Sequence, residues 1–272
     1  MREEIVQLIL DRLEQERDTL RAQFSASAVA VGVRYCVVDD LLHEPLARRI
    51  NESFPEVAKM RLMDSFRERK YTSKKFDEFD PLLGDVTFAF QDSRVVQAAE
   101  AFTGIREEVP DSSLYAGGLS AMARGHFLGP HIDNSHEALR NFYRTLSLLY
   151  YVTPDWSMEC EGNLQLWNRE VARHETIVSR FKRLVIMETT PTSWHAVSEV
   201  KVDALRRRVS NYYFSPRSPT GAEYFNVTTF SARPEQKALR VLSCIDNKLR
   251  QAIPIVAPSG LAKSDVHQDP DK

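Results

Sequence analysis

The 272-residue chain has only three cysteines, Cys36, Cys160 and Cys244, widely separated and odd in number. That pattern disfavours a disulfide framework and offers no Cys-x-x-Cys zinc site, so the thiols are read as reduced and structural. Charge of one sign is also missing: 36 Lys and Arg stand against 38 Asp and Glu, a formal net charge of −2. Such a balance gives no whole-chain attraction to nucleic acid or to an anionic membrane surface. No apolar run approaches the roughly 20 residues needed to cross a bilayer, and Met1 leads into Arg-Glu-Glu rather than a signal-peptide core. The expectation is a cytoplasmic protein that binds neither membrane nor nucleic acid. Repeats and low-complexity blocks are absent as well.

What is present is an ordinary globular composition, 43% apolar and 27% charged, at a length that suits one large domain or two small ones. Ile5, Ile9, Leu13, Leu20 and Phe24 recur at mostly helical spacing and predict an amphipathic helix over residues 3–24, which either covers a sheet or supports a homodimer. The β-branched stretch "ASAVAVGVRYCVV" (26–38) reads as a strand. Asp39 or Asp40 then caps a helix running to about Phe54, with Pro45 in its first turn and Pro55 closing it. The charged, aromatic "RERKYTSKKFDEFDPLLGD" (67–85) has no clean period and reads as a surface loop or a lid over a pocket; a helix follows at about 92–103.

From Leu114 the character changes to short apolar runs divided by Gly, Pro, Asn and Asp. "SAMARGHFL", "TLSLLYYVT", "NLQLW", "HETIVS", "RLVIMET", "AVSEV" and "RVSNYYFS" read as about seven strands at sandwich or barrel spacing. A last helix is predicted over 233–252, followed by a polar, disordered tail from 257 to 272.

Within the β half lies "GHFLGPHIDNSH" (125–136). On a strand, residues 131 and 133 share a face, so His131 and Asp133 can grip one cation without bending the backbone. His195, after Trp194 in "TTPTSWHAVSEV", is the best third candidate. Two histidines and one carboxylate form the facial triad of non-haem Fe(II) oxygenases, which leaves coordination positions open; zinc accepts the same ligands, and a bare His-x-Asp also occurs in polar loops. His126 reads as structural or exposed, while His136 and Asn134, which flank the site, read equally as substrate contacts or as satisfied loop residues.

The order of motifs narrows this reading. "PHID", "TLSLLYYVTPDW", "EGNLQLW", "WHAVSEV" and "RRRVSNYYFS" follow one another over residues 114–215. In that order they resemble the catalytic core of the Fe(II)/2-oxoglutarate dioxygenases, in particular the prolyl-4-hydroxylase-like branch. The usual double glycine is reduced here to Glu161-Gly162. The resemblance implies a mainly β fold with flanking helices around a double-stranded β-helix core (jelly roll, cupin-like). It implies Fe(II) held by His131, Asp133 and His195, with 2-oxoglutarate and O₂ as cosubstrates. It further implies that the distal carboxylate of 2-oxoglutarate pairs with a basic residue on the last core strand, assisted by a tyrosine. Arg206, Arg207 and Arg208 are all within reach; Arg206 is favoured, with Tyr150 as the tyrosine and Tyr151 as a core aromatic.

The implied activity is hydroxylation of an unactivated C–H bond of a small molecule, amino acid or peptidyl residue, with release of succinate and CO₂. Desaturation, cyclisation or a non-catalytic ligand-binding module are the alternatives. Halogenation is disfavoured, since the related halogenases lack the carboxylate that Asp133 supplies. One catalytic domain is expected over 1–256, with support and lid in 1–113, core in 114–216 and an extension in 217–256.

Overall fold

Apolar side chains at helical spacing organise the N-terminal segment, and all of those named above are buried. In the computed structural model, which describes residues 1–115, 117–243, 245 and 247, they lie on α1 (Arg2–Gln15) and α2 (Arg17–Ala26). A single turn, α3 (Ala28–Val31), then ends at Gly32 in the left-handed conformation. Helix therefore takes the first part of the stretch expected as strand over 26–38, and β1 (Tyr35–Val38) is only its last four residues. The alanines of "ASAVAV" extend a helix already under way; β-branching alone does not overrule that continuity.

The next helix, α4 (Glu44–Glu52), begins later than expected because His43 caps it, its Nδ1 accepting from the Leu46 amide. Asp39 instead binds Arg183 through two hydrogen bonds of 2.7 and 2.8 Å. The 67–85 segment is not an irregular loop. It contains the second half of a hairpin, β2 (Arg61–Asp64) and β3 (Glu68–Ser73), and the start of α5 (Pro81–Ala89). Helix α6 (Ser93–Thr103) falls where predicted, capped by Asp92.

The remaining strands are β4 (Val109–Pro110), β5 (Gly118–Met122), β6 (Phe127–Ile132), β7 (Tyr143–Tyr151), β8 (Leu164–Trp167), β9 (His174–Ile177), β10 (Leu184–Glu188), β11 (His195–Val197), β12 (Arg206–Ser215) and β13 (Thr229–Phe230). "SAMARGHFL" is thus two strands, split where Gly125 takes φ +80° and His126 N–H closes a turn onto Ala123. The expected helix over 233–252 and the tail over 257–272 fall partly or wholly outside the described residues.

Neighbouring strands run in the order β1-β10-β7-β12-β5-β3-β6-β11-β8-β9 in one curled antiparallel sheet, the jelly-roll core. The half built from β1, β10, β7, β12 and β5 turns one face, bearing Cys36, Leu148, Tyr150, Ile186, Val209 and Tyr213, onto the helices, where it joins the largest hydrophobic core. Alternation sends the other face inward. Leu149, Tyr151, Val185 and Met187 point there and pack against Leu164 and Leu166 of β8. Strand β3 bridges the two halves by pairing with both β5 and β6.

Candidate metal centre

Strands β6 and β11 are antiparallel neighbours, and their register sets His195 directly opposite His131. The imidazole centroids are 4.0 Å apart. Each ring is held the same way: Nδ1 of His131 lies 3.0 Å from the carbonyl of Gly129, and Nδ1 of His195 lies 3.0 Å from that of Ser193. A carbonyl only accepts, so each Nδ1 carries a proton and each Nε2 is the ring nitrogen turned toward a ligand.

Both Nε2 atoms face Asp133, one residue beyond the end of β6, at 3.6 and 3.8 Å from its oxygens. These gaps exceed hydrogen-bond length. One ligand atom from each residue lies within 4.8 Å of the other two, an arrangement that can hold a metal ion. Burial, then the neighbouring His131, lowers the His195 imidazole to about 3, so it is neutral at physiological pH. Burial alone would raise the Asp133 carboxyl; the Arg144 guanidinium outweighs it and holds Asp133 ionised.

Arg144 escaped the sequence reading. It is 1% exposed, lies 3.1 Å from Asp133 Oδ2 through Nη1, and donates from Nη2 to Asn134 Oδ1 at 2.8 Å. Strict alternation along β7 would point Arg144 with Tyr150 toward the helices. A register shift against β12 pairs Tyr213 with Leu146 but Phe214 with Arg144, leaving Thr145 as the extra residue. This bulge swings Arg144 to the inner face, over the rings of Tyr212 and Phe214. The loop after β6 is fixed as well, since Asn226 donates to the Asp133 carbonyl at 2.9 Å and Ser135 N–H bonds the Asn226 carbonyl.

The three arginines of β12 divide by parity. Arg207 leaves the interior and donates to Asn51 of α4. Arg206 and Arg208 are buried on the inner face. Arg206 donates from Nε to Ser179 Oγ at 3.0 Å, contacts Met122 Sδ through Nη1, and lies over the Tyr151 ring; its Nη2 has no partner. Burial lowers its pKa to about 10, which leaves it cationic.

The tyrosine beside Arg206 is Tyr151, not Tyr150. Tyr150 packs on the helix side, 6.1 Å from the Phe90 ring, and the sheet separates it from Arg206. The expectation inverted the pair because one strand's parity does not say which face is inner. Burial raises the Tyr151 hydroxyl, but Arg206 and Arg208 outweigh it and draw the hydroxyl below its ordinary value. Gly162 completes this end: at φ +66° an added Cβ would stand 2.7 Å from Val200 Cγ2 and 3.1 Å from Arg206 Cδ. Its carbonyl accepts from the same Ser179 hydroxyl that holds Arg206.

Residues 117–215 match the model of the 2OG-Fe(II) oxygenase superfamily. No curated protein matches the sequence. Among solved structures, a prolyl 4-hydroxylase from Phytophthora capsici superposes with a TM-score of 0.51 at 17% identity, over 90% of this chain and 75% of that one. A prolyl hydroxylase from Trichoplax adhaerens, in complex with a hypoxia-inducible factor peptide fragment, gives 0.50 at 16%, over 74% and 91%. SnoN, a non-haem α-ketoglutarate-dependent epimerase from nogalamycin biosynthesis, gives 0.50 at 12%, over 74% and 84%. At these identities the likeness is one of fold. Among the described residues no helix is long and apolar enough to cross a membrane.

Proposed function

We propose that the chain is a 2-oxoglutarate-dependent hydroxylase acting on a C–H bond of a small molecule or peptidyl residue. The observation that carries the reading is the convergence of two oriented imidazoles and one ionised carboxylate, with gaps too long for hydrogen bonds between them. Two nitrogens and one carboxylate on one side of a cation leave its other positions open for exchangeable ligands, as the facial triad of Fe(II) oxygenases does. In this reading His131, Asp133 and His195 hold Fe(II).

The unpartnered Nη2 of Arg206 and the free hydroxyl of Tyr151, both buried on the inner face, suit the distal carboxylate of 2-oxoglutarate. Tyr150 takes no part. When bound, the metal and 2-oxoglutarate supply O₂ activation, the cosubstrate leaving as succinate and CO₂ while one oxygen atom enters the substrate. The chain's own residues orient and protect. Ser179 and Gly162 fix Arg206, and Leu149, Leu164 and Met187 keep the space around Tyr151 dry. The helices, the curled sheet and the 217–243 segment act as one catalytic unit, in which the β2–β3 hairpin contributes to substrate selection.

Succinate release from 2-oxoglutarate under air, with added Fe(II), tests this function. Wild type should produce it slowly without primary substrate, and Asp133→Ala should not. Equal release by both would contradict the assignment.

A further inference from the structure

Arg208 lies two residues from Arg206 on the same inner face of β12, opposite Tyr151 in register, and is 9% exposed. Among the described residues neither a hydrogen bond nor an ion pair reaches its guanidinium, and its Nε is a buried donor without an acceptor. Two other inner cations are matched, Arg144 by Asp133 and Lys70 by Glu68 at 2.8 Å; Arg206, like Arg208, has no carboxylate beside it. Its neighbours on the inner face are another cation, Arg206, two residues away on the same strand, and Tyr151 across the β7–β12 pairing. A buried cation with no counter-charge is among the least favourable groups a fold can hold. A guanidinium in that state is a preformed anion site.

The proposed cofactors do not use it up. 2-Oxoglutarate is a dianion whose two carboxylates are taken by the metal and by Arg206, and Asp133 is shared between the metal and Arg144. We infer that Arg208 is a second carboxylate-binding residue inside the barrel, and that the primary substrate is a carboxylic acid whose carboxylate it receives. The inference rests on the cofactor reading above for its division of labour between Arg206 and Arg208. A single unmatched cation selects a single negative charge, so a monocarboxylate is favoured over its ester or amide. The position of Arg208, opposite Tyr151 in register and buried on the inner face, puts that charge inside the barrel.

Calorimetric titration of Mn(II)-loaded protein tests this, first with 2-oxoglutarate and then with acetate as the probe carboxylate, with acetamide as neutral control. Acetate is titrated both without 2-oxoglutarate and at saturating 2-oxoglutarate, in wild type, Arg208→Gln, Arg208→Lys and Arg206→Gln. Acetate, and not acetamide, should bind wild type in the presence of saturating 2-oxoglutarate. Arg208→Gln should abolish that binding while keeping 2-oxoglutarate affinity within about threefold, and Arg206→Gln should lower 2-oxoglutarate affinity by about tenfold or more. Arg208→Lys, which keeps the charge, should retain weakened acetate binding and shows that loss in the Gln variant is not loss of fold.

Two results overturn the inference. One is acetate binding that Arg208→Gln leaves intact. The other is wild type that binds no acetate at saturating 2-oxoglutarate while Arg208→Gln costs as much 2-oxoglutarate affinity as Arg206→Gln, which would make Arg208 part of the cosubstrate clamp. Unchanged 2-oxoglutarate affinity in Arg206→Gln would instead defeat the cofactor reading, and the acetate titration without 2-oxoglutarate still decides the role of Arg208.

Discussion

Arg144 and Asp133 form a buried ion pair, Nη1 to Oδ2 at 3.1 Å, in which the carboxylate is also the anionic member of the candidate metal triad. One charge would therefore serve two cations once a metal binds. Breaking a buried pair from one side leaves the other charge uncompensated, at a cost of about 3–5 kcal/mol. Arg144→Leu should lower the melting temperature of the metal-free protein sharply. Bound metal then becomes the only partner of Asp133, so the stabilisation gained on adding Mn(II) should be larger in the variant than in wild type. Thermal unfolding with and without Mn(II) measures both; an unchanged metal-induced shift would show that Arg144 does not share the carboxylate.

Tyr150 and Tyr151 are adjacent yet separated by the sheet. Tyr151→Phe removes the hydroxyl beside Arg206, and a hydrogen bond to a charged group contributes about 1.5–3 kcal/mol, so 2-oxoglutarate affinity should fall by roughly tenfold or more. Tyr150→Phe removes a buried hydroxyl without a partner and should leave affinity unchanged, with stability equal or slightly higher. Paired titrations of the two variants give the comparison, and a larger loss in Tyr150→Phe would reverse the assignment.

Gly162→Ala should act on the cosubstrate end alone. The new Cβ is strained by its backbone conformation and pushes on Val200 and on the Arg206 stem. Strain of this kind costs about 1–3 kcal/mol, and the part of it relieved by moving Arg206 appears as weaker 2-oxoglutarate binding. Mn(II) affinity measured without 2-oxoglutarate should be preserved; its loss would mean that the substitution disturbs the whole barrel.

Glu108 gives the stability a pH dependence. Burial raises its carboxyl to about 8, against the hydrogen bond from the Thr145 hydroxyl, and its second oxygen has no partner. The folded state keeps a proton that the unfolded chain has already released. The stabilisation is therefore full below the ordinary carboxyl range of about 4.5 and is lost as pH rises through about 8. Denaturant midpoints should fall across that window, by at most about 1.4 kcal/mol per pH unit, and Glu108→Gln should flatten the decline.

The convergence of His131, Asp133 and His195 was legible because its parts are local or ordered. His131 and Asp133 are two apart at a strand end, His195 opens a later strand, and Gly162 is the residue a close turn demands. Pairing between strands was not legible. The choice between Tyr150 and Tyr151 depends on which face is inner, and the inward turn of Arg144 depends on a bulge that only the β7–β12 register reveals. Nor does a charged stretch such as Glu68–Ser73 declare itself as a strand, since its pairing with β5 and β6 supplies what its alternation does not.

The most direct test of the central claim is anaerobic addition of Fe(II) and 2-oxoglutarate to the purified protein, followed by visible absorption. Chelation of 2-oxoglutarate to an open triad-bound Fe(II) gives a weak charge-transfer band in the visible. Wild type should show it, Asp133→Ala should not, and Arg206→Gln should need far more 2-oxoglutarate to reach it. No band in wild type with iron bound would contradict the account, and would leave His131, Asp133 and His195 as a site for another metal.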